Sequence, residues 1–169
     1  MTPPIFGITG WKNSGKTTLT ERLVAEFTER GLVVSTVKHA HHRFDIDTPG
    51  TDSHRHRMAG AREVALVSGT RWALMHELRE EDEPAMMDIV PRLSPCDLIL
   101  VEGYKREGHP KIECRRIGAR EGRPIFENND TIVAIASDHE VGETDLPVFS
   151  LNDVGAIADF IARMTGLAS

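Results

Sequence analysis

The chain is poor in cysteine, in long apolar runs and in net positive charge. Its two cysteines, Cys96 and Cys114, are too few for a disulfide framework and too far apart for a C-x-x-C metal knuckle, so two free packing thiols in a reducing compartment are expected. No apolar stretch approaches the roughly 20 residues that a membrane helix needs. The stretch MTPPIFGITG has neither the basic start nor the long apolar centre of a secretory signal, which sets a cytoplasmic expectation without membrane attachment. A net charge of −6 and a pI near 5.7 argue against a general nucleic-acid binder, because phosphate backbones demand a basic face. Internal repeats, low-complexity tracts and linkers are also missing. What is present is an ordinary globular composition, 40% hydrophobic and 27% charged over 169 residues, the size of a single domain spanning 1–169.

Short β-rich runs alternate with helical patterns. The runs are IFGIT (5–9), VVSTVKH (33–39), VALVSG (64–69), WALMHE (72–77), DLILVEG (97–103), IVAIAS (132–137) and PVFSL (147–151). Several are continuously apolar, as strands covered on both faces are. Between the first two, Leu19, Leu23 and Phe27 recur at four-residue intervals beside Val24, forming one helical stripe that Gly31 should stop. Near the end, Asn152 or Asp153 can cap a helix carrying Val154, Ile157, Ala158, Ile161 and Ala162. The expected fold is α/β, a P-loop NTPase-like three-layer arrangement with a mostly parallel central sheet and helices on both faces.

The first strand runs into GWKNSGKT, Gly10 to Thr17, which satisfies G-x-x-x-x-G-K-[ST]. A tight loop between strand and helix turns successive backbone N–H groups inward, where they and the positive end of the helix dipole can surround phosphate oxygens. Gly10 and Gly15 permit the turn, with Lys12, Asn13, Ser14 and Thr18 completing the cradle. Lys16 can reach the β and γ phosphates, and the Thr17 hydroxyl can ligate the bridging magnesium ion. Lys12 reads either as a solvated loop lysine or as a second phosphate lysine. Dimeric P-loop proteins use such a lysine across their interface, usually from the loop's second position, whereas Lys12 holds the third.

A P-loop also needs an acidic residue at the end of a neighbouring strand. Glu102 in DLILVEGYK fills that place beside the small Gly103, whereas Asp97 reads as a cap. Lys38 to Arg57, KHAHHRFDIDTPGTDSHRHR, holds five of the eight histidines with Asp45, Asp47 and Asp52. Beyond a strand end such a loop can close over a γ phosphate, with Asp45 or Asp47 adding a magnesium contact. A transition-metal site using His41, His42, His54 and His56 is the competing reading, and solvated or helix-face histidines are the plain one. From Lys105 to Arg123, seven Lys or Arg stand against three Glu. That segment is either a solvated basic surface or a pocket for a second anion, with Lys105, Lys111 and Arg115 as its candidates.

Taken in order, GWKNSGKTTL, VKHAHHRFDIDTPGTDSHRHRMAGA, DLILVEGYK and KIECRR resemble the molybdopterin-guanine dinucleotide biosynthesis protein B family, MobB. The resemblance spans most of the chain, and its middle motif is more specific than a generic P-loop. It implies a homodimeric, GTP-binding accessory protein with weak GTPase activity. Such a protein works beside the guanylyltransferase that joins GMP to molybdopterin. The basic segment, through Lys105 and Arg115, is then expected to contact the molybdopterin phosphate. Lys16 and Glu102 would carry such hydrolysis as there is. Base recognition departs from the usual N-K-x-D sequence: only AIASD follows a strand, where Asp138 either accepts hydrogen bonds from guanine N1 and N2 or caps a turn. Two rival functions are a GTP-dependent nickel or cobalt chaperone and an ATP-dependent small-molecule kinase.

Overall fold

The computed structural model describes residues 2–40, 44–119 and 122–167. In chain order the elements are β1 (Ile5–Gly10), α1 (Lys16–Glu29), β2 (Val34–Lys38), α2 (Asp52–Met58), β3 (Glu63–Val67), β4 (Trp72–His76), α3 (Met86–Ile89), β5 (Leu98–Glu102), β6 (Lys111–Arg115), β7 (Ile132–Ser137), β8 (Val148–Ser150) and α4 (Val154–Thr165). They fall into two compact units, one made of 1–39 with 89–169 and the other of 40–88.

The larger unit is built on a six-stranded sheet ordered β2-β5-β1-β6-β7-β8. Every pairing in it is parallel, so the carboxyl ends of the strands gather at one edge. This is the mostly parallel α/β architecture that the alternating runs imply. Strand alternation sends Phe6, Ile8, Leu98, Leu100, Ile112, Cys114, Ala134 and Ala136 into one core with α1 and α4. α1 contributes the stripe of Leu19, Leu23 and Phe27, and α4 contributes Val154, Ile157, Ala158, Ile161 and Ala162. The helix ends form as their sequences dictate. Leu32 N–H returns to the Phe27 carbonyl and Gly31 N–H to Thr28 at 2.9 Å, closing α1 on the left-handed Gly31. Asp153 caps α4 by accepting the Ala156 N–H at 3.1 Å.

The opposite sheet face is more polar. Thr9, Lys111 and Glu113 lie there fully buried beside Ile99, Val101 and Ile135. Glu113 accepts the N–H groups of Ile125 (3.1 Å) and Phe126 (2.9 Å), tying a short 3₁₀ turn at Phe126–Asn128 across the sheet. Asp97 anchors the start of β5, its Oδ2 accepting the Val33 N–H at 2.7 Å.

One strand escapes the sequence reading. KIECR is β6, a central strand between β1 and β7, although it lies inside the basic segment. Its polar residues Lys111 and Glu113 point to the partnered polar face, which is how a non-apolar pattern becomes an interior strand. Lys111 is therefore not a pocket residue. Its ammonium donates to the carbonyls of Glu107 and His109 and to Thr131 Oγ1, the last at 2.9 Å, and burial pushes its pKa down to about 8.

The smaller unit holds α2 and the antiparallel hairpin β3-β4. Arg57 is its hub: the guanidinium meets Asp47 at 2.8 Å, Asp45 at 2.9 Å and Glu77 at 3.4 Å. The hydrogen bonds from Arg57 hold the Asp47 carboxyl below the usual carboxylate range. On the hairpin, Val67 opposes Trp72 and Ala65 opposes Leu74. Directly opposed residues share a face, and this one exposes Val67, Trp72 and Leu74.

Candidate functional site

The loop from Gly10 to Gly15 joins β1 to α1, and its backbone explains its glycines. Gly10 has φ +149°, and a Cβ there would lie 2.6 Å from the Cys114 carbonyl oxygen. Gly15, at the N-cap of α1, sits at φ +91°, a left-handed conformation that costs other residues. Asn13 shares the left-handed region at φ 65°. The loop opens into a cavity of about 400 Å³ lined by residues 12–18, Glu102 and Arg116.

Two groups meet on the carboxylate of Glu102, one of the residues that line the cavity. Thr17 Oγ1 donates to Glu102 Oε1 at 3.0 Å, and Lys38 Nζ approaches the same oxygen at 3.2 Å. Lys16 Nζ donates to the Trp11 carbonyl at 2.6 Å. Partial burial lowers the pKa of Lys16, opposed by Cys114 and Glu102. Glu102 is buried at the end of β5, where an unpartnered carboxylate would be costly. Gly103, at φ +94°, carries the chain past His39 directly afterwards.

The residues fit a polyphosphate with a hard cation. Ser14 Oγ is buried with no hydrogen-bond partner among the described residues, an orphaned donor in the loop. Thr17 and Glu102 supply a hydroxyl and a carboxylate within hydrogen-bond distance of each other, an all-oxygen set suited to magnesium. A third group also stands at this sheet edge. Asp138 follows β7, and its Oδ1 accepts both the Ile117 N–H (2.9 Å) and His139 Nδ1 (2.9 Å). These two bonds, that of His139 first, hold its pKa below the usual range.

The remaining expected residues are placed elsewhere or otherwise engaged. Arg115 sits 3.6 Å from Glu113 and lies over the Phe126 ring. Lys105 Nζ stands 4.1 Å above the Trp11 ring. Asp45 and Asp47 are committed to Arg57 within the smaller unit. His41 and His42 lie outside the described residues, and among the described residues no group of three or more His, Cys, Asp or Glu is placed to hold a metal. Two residues escape the sequence reading, Arg116, which lines the cavity, and Lys38, which pairs with Glu102. Each follows from topology: the last residue of β2 pairs in register with Glu102, and Arg116 is the first residue beyond β6.

A parallel sheet with a glycine-bent loop between its first strand and helix, and a carboxylate ending the adjacent strand, defines a P-loop α/β protein. The comparisons narrow this class. The family model for molybdopterin guanine dinucleotide synthesis protein B, MobB, matches residues 5–138, and the chain belongs to that family. The molybdopterin-guanine dinucleotide biosynthesis adapter protein of Escherichia coli K12 is 38% identical over 162 residues, covering 95% of this chain and 92% of that protein. The protein of the same name from Haemophilus influenzae is 38% identical over 94% of this chain and 87% of its own length. Among solved structures, the MobB homologue from Bacillus stearothermophilus aligns with a TM-score of 0.73 at 28% identity, over 97% of this chain and 99% of that one. No helix among the described residues is long and apolar enough to cross a membrane.

Proposed function

We propose that the protein binds GTP with magnesium in the P-loop cavity, hydrolyses it slowly, and acts as a cytoplasmic adapter in molybdenum cofactor biosynthesis. Its partner is the guanylyltransferase that joins GMP to molybdopterin. Membership of the MobB family and relatives named as adapters of molybdopterin-guanine dinucleotide biosynthesis support the pathway. The observation that carries the nucleotide reading is the bond from Thr17 Oγ1 to Glu102 Oε1 at 3.0 Å, beside the orphaned Ser14 hydroxyl.

In this reading the P-loop amides and Ser14 take the phosphate oxygens, and Lys16 exchanges the Trp11 carbonyl for the β and γ phosphates. A bound magnesium ion supplies charge neutralisation, held by Thr17 with Glu102 directly or through water. Lys38 balances the Glu102 charge. Asp138 reads guanine N1 and N2 with Oδ2 while Oδ1 keeps its present bonds. Lys12, exposed at the rim, is left for a neighbouring copy, and the exposed apolar hairpin face of Val67, Trp72 and Leu74 supports a homodimer. The larger unit is the nucleotide-binding domain, with 40–88 inserted between β2 and β5. Molybdopterin binding is assigned to the surface carrying Lys105 and Arg115.

The test is reconstitution. Guanine dinucleotide formation from GTP and molybdopterin by the purified transferase should rise several-fold with this protein, and Lys16→Ala should remove the rise. Equal stimulation by the variant would sink the reading.

A further inference from the structure

The residues directly after β6 are held by groups at the carboxyl edge of the sheet, as a solvated basic loop would not require. Ile117 N–H is held by Asp138 Oδ1 at 2.9 Å, and Ala119 N–H returns to the Arg116 carbonyl at 3.1 Å. Further along, Trp11 Nε1 donates to the Arg123 carbonyl at 2.9 Å. Gly122 lies flat against the same indole, so close that a Cβ would stand 2.6 Å from Nε1. Ile117 and Arg123 are thus each tied to this sheet edge, the first by the residue after β7 and the second by the second residue of the P-loop.

The two arginines that close β6 are used differently. Arg115 is spent on Glu113 and Phe126. Arg116 lines the P-loop cavity, and its side chain has no hydrogen bond or ion pair with a described residue. A guanidinium is always charged and matches phosphate oxygens bidentately. Held at a cavity that Lys16 and Thr17 also line, its complement is an anion.

We propose that Arg116 engages the phosphates of the bound nucleotide, and that Asp138 acts as its positioning residue by holding the Ile117 N–H. This deepens the nucleotide reading and rests on it. Asp138 then serves two ends with two oxygens: Oδ2 faces the base, and Oδ1 fixes the turn that brings Arg116 to the phosphates. A nucleotide with the right base thereby meets a set clamp.

Titration calorimetry of the full chain, with GTP, ATP and inorganic tripolyphosphate in magnesium, separates the two roles because tripolyphosphate has no base. Arg116→Ala should weaken both GTP and tripolyphosphate by about tenfold or more, with Arg116→Lys intermediate. Asp138→Ala should weaken tripolyphosphate as well. Asp138→Asn, whose amide oxygen still accepts the Ile117 N–H, should restore tripolyphosphate binding while leaving GTP weak. Wild-type affinity for both ligands in Arg116→Ala, with Lys16→Ala inactive, would overturn the Arg116 role and leave the nucleotide site standing. Wild-type tripolyphosphate affinity in Asp138→Ala would overturn the positioning role. Failure of the wild type to bind either nucleoside triphosphate would overturn the nucleotide reading and this inference together.

Discussion

The two units of the chain are held together by different physics. In the larger one, α1, α4 and one face of the sheet share an apolar core whose residues are almost all fully buried. That core fixes the strand ends, and the strand ends fix the site: Lys38, Glu102 and Arg116 come from or just after three different strands. In the unit of residues 40–88, α2 buries no residue and the organising contact is one arginine among three carboxylates. Its hairpin turns apolar side chains outward. The difference teaches that precise placement of a pocket needs a packed sheet, whereas a region meant to meet something else can be held by ion pairs around an open surface.

Breaking each unit in its own terms should show the contrast. Ile157→Ala, in the α4 stripe, should destabilise the protein by about 2–5 kcal/mol, read as a lowered midpoint in urea. Leu74→Ala on the exposed hairpin face should change the monomer's stability by no more than about 0.5 kcal/mol. Equal losses would erase the distinction. The hairpin substitution that should matter is Trp72→Asp, which places a charge on the proposed dimer face: sedimentation should find a dimer in the wild type and a monomer in the variant. A wild-type monomer, or a variant dimer of unchanged affinity, would remove that face from the assembly.

A pH-dependent effect probes the polar side of the sheet. The folded pKa of Lys111 is near 8 against an ordinary 10.5, so between those values the unfolded chain binds the extra proton. Stability contributed through this residue therefore rises with pH from about 8 to 10.5. Thermal midpoints of wild type and Lys111→Met, measured across that range, should shift in favour of the wild type as pH rises. A constant gap would mean that Lys111 is as easily charged in the folded state as in the unfolded one.

Much of the larger unit was legible in its sequence because local signals and tertiary demands agree there. GWKNSGKT forms a loop between strand and helix, the Leu19, Leu23 and Phe27 stripe is buried, Gly31 stops α1, Asp153 rather than Asn152 caps α4, and Glu102 ends β5. β6 was hidden because Lys111 and Glu113 are interior polar residues whose partners, Thr131 and the N–H groups of Ile125 and Phe126, come from later in the chain. Arg115 and Arg116 are adjacent and chemically alike. Only the end of β6 decides that one packs on Phe126 and the other lines the cavity. Asp45 and Asp47 look like free ligands in the sequence, and their engagement with Arg57 depends on a fold that spacing alone does not reveal.

If the P-loop cavity is a guanine nucleotide site, titration of the protein with GTP and with ATP in magnesium, beside Lys16→Ala, will show it. GTP should bind at least about tenfold more tightly than ATP, a difference of roughly 1.4 kcal/mol, with binding lost in the variant. ATP binding as tight as or tighter than GTP would contradict it and bring forward a small-molecule kinase.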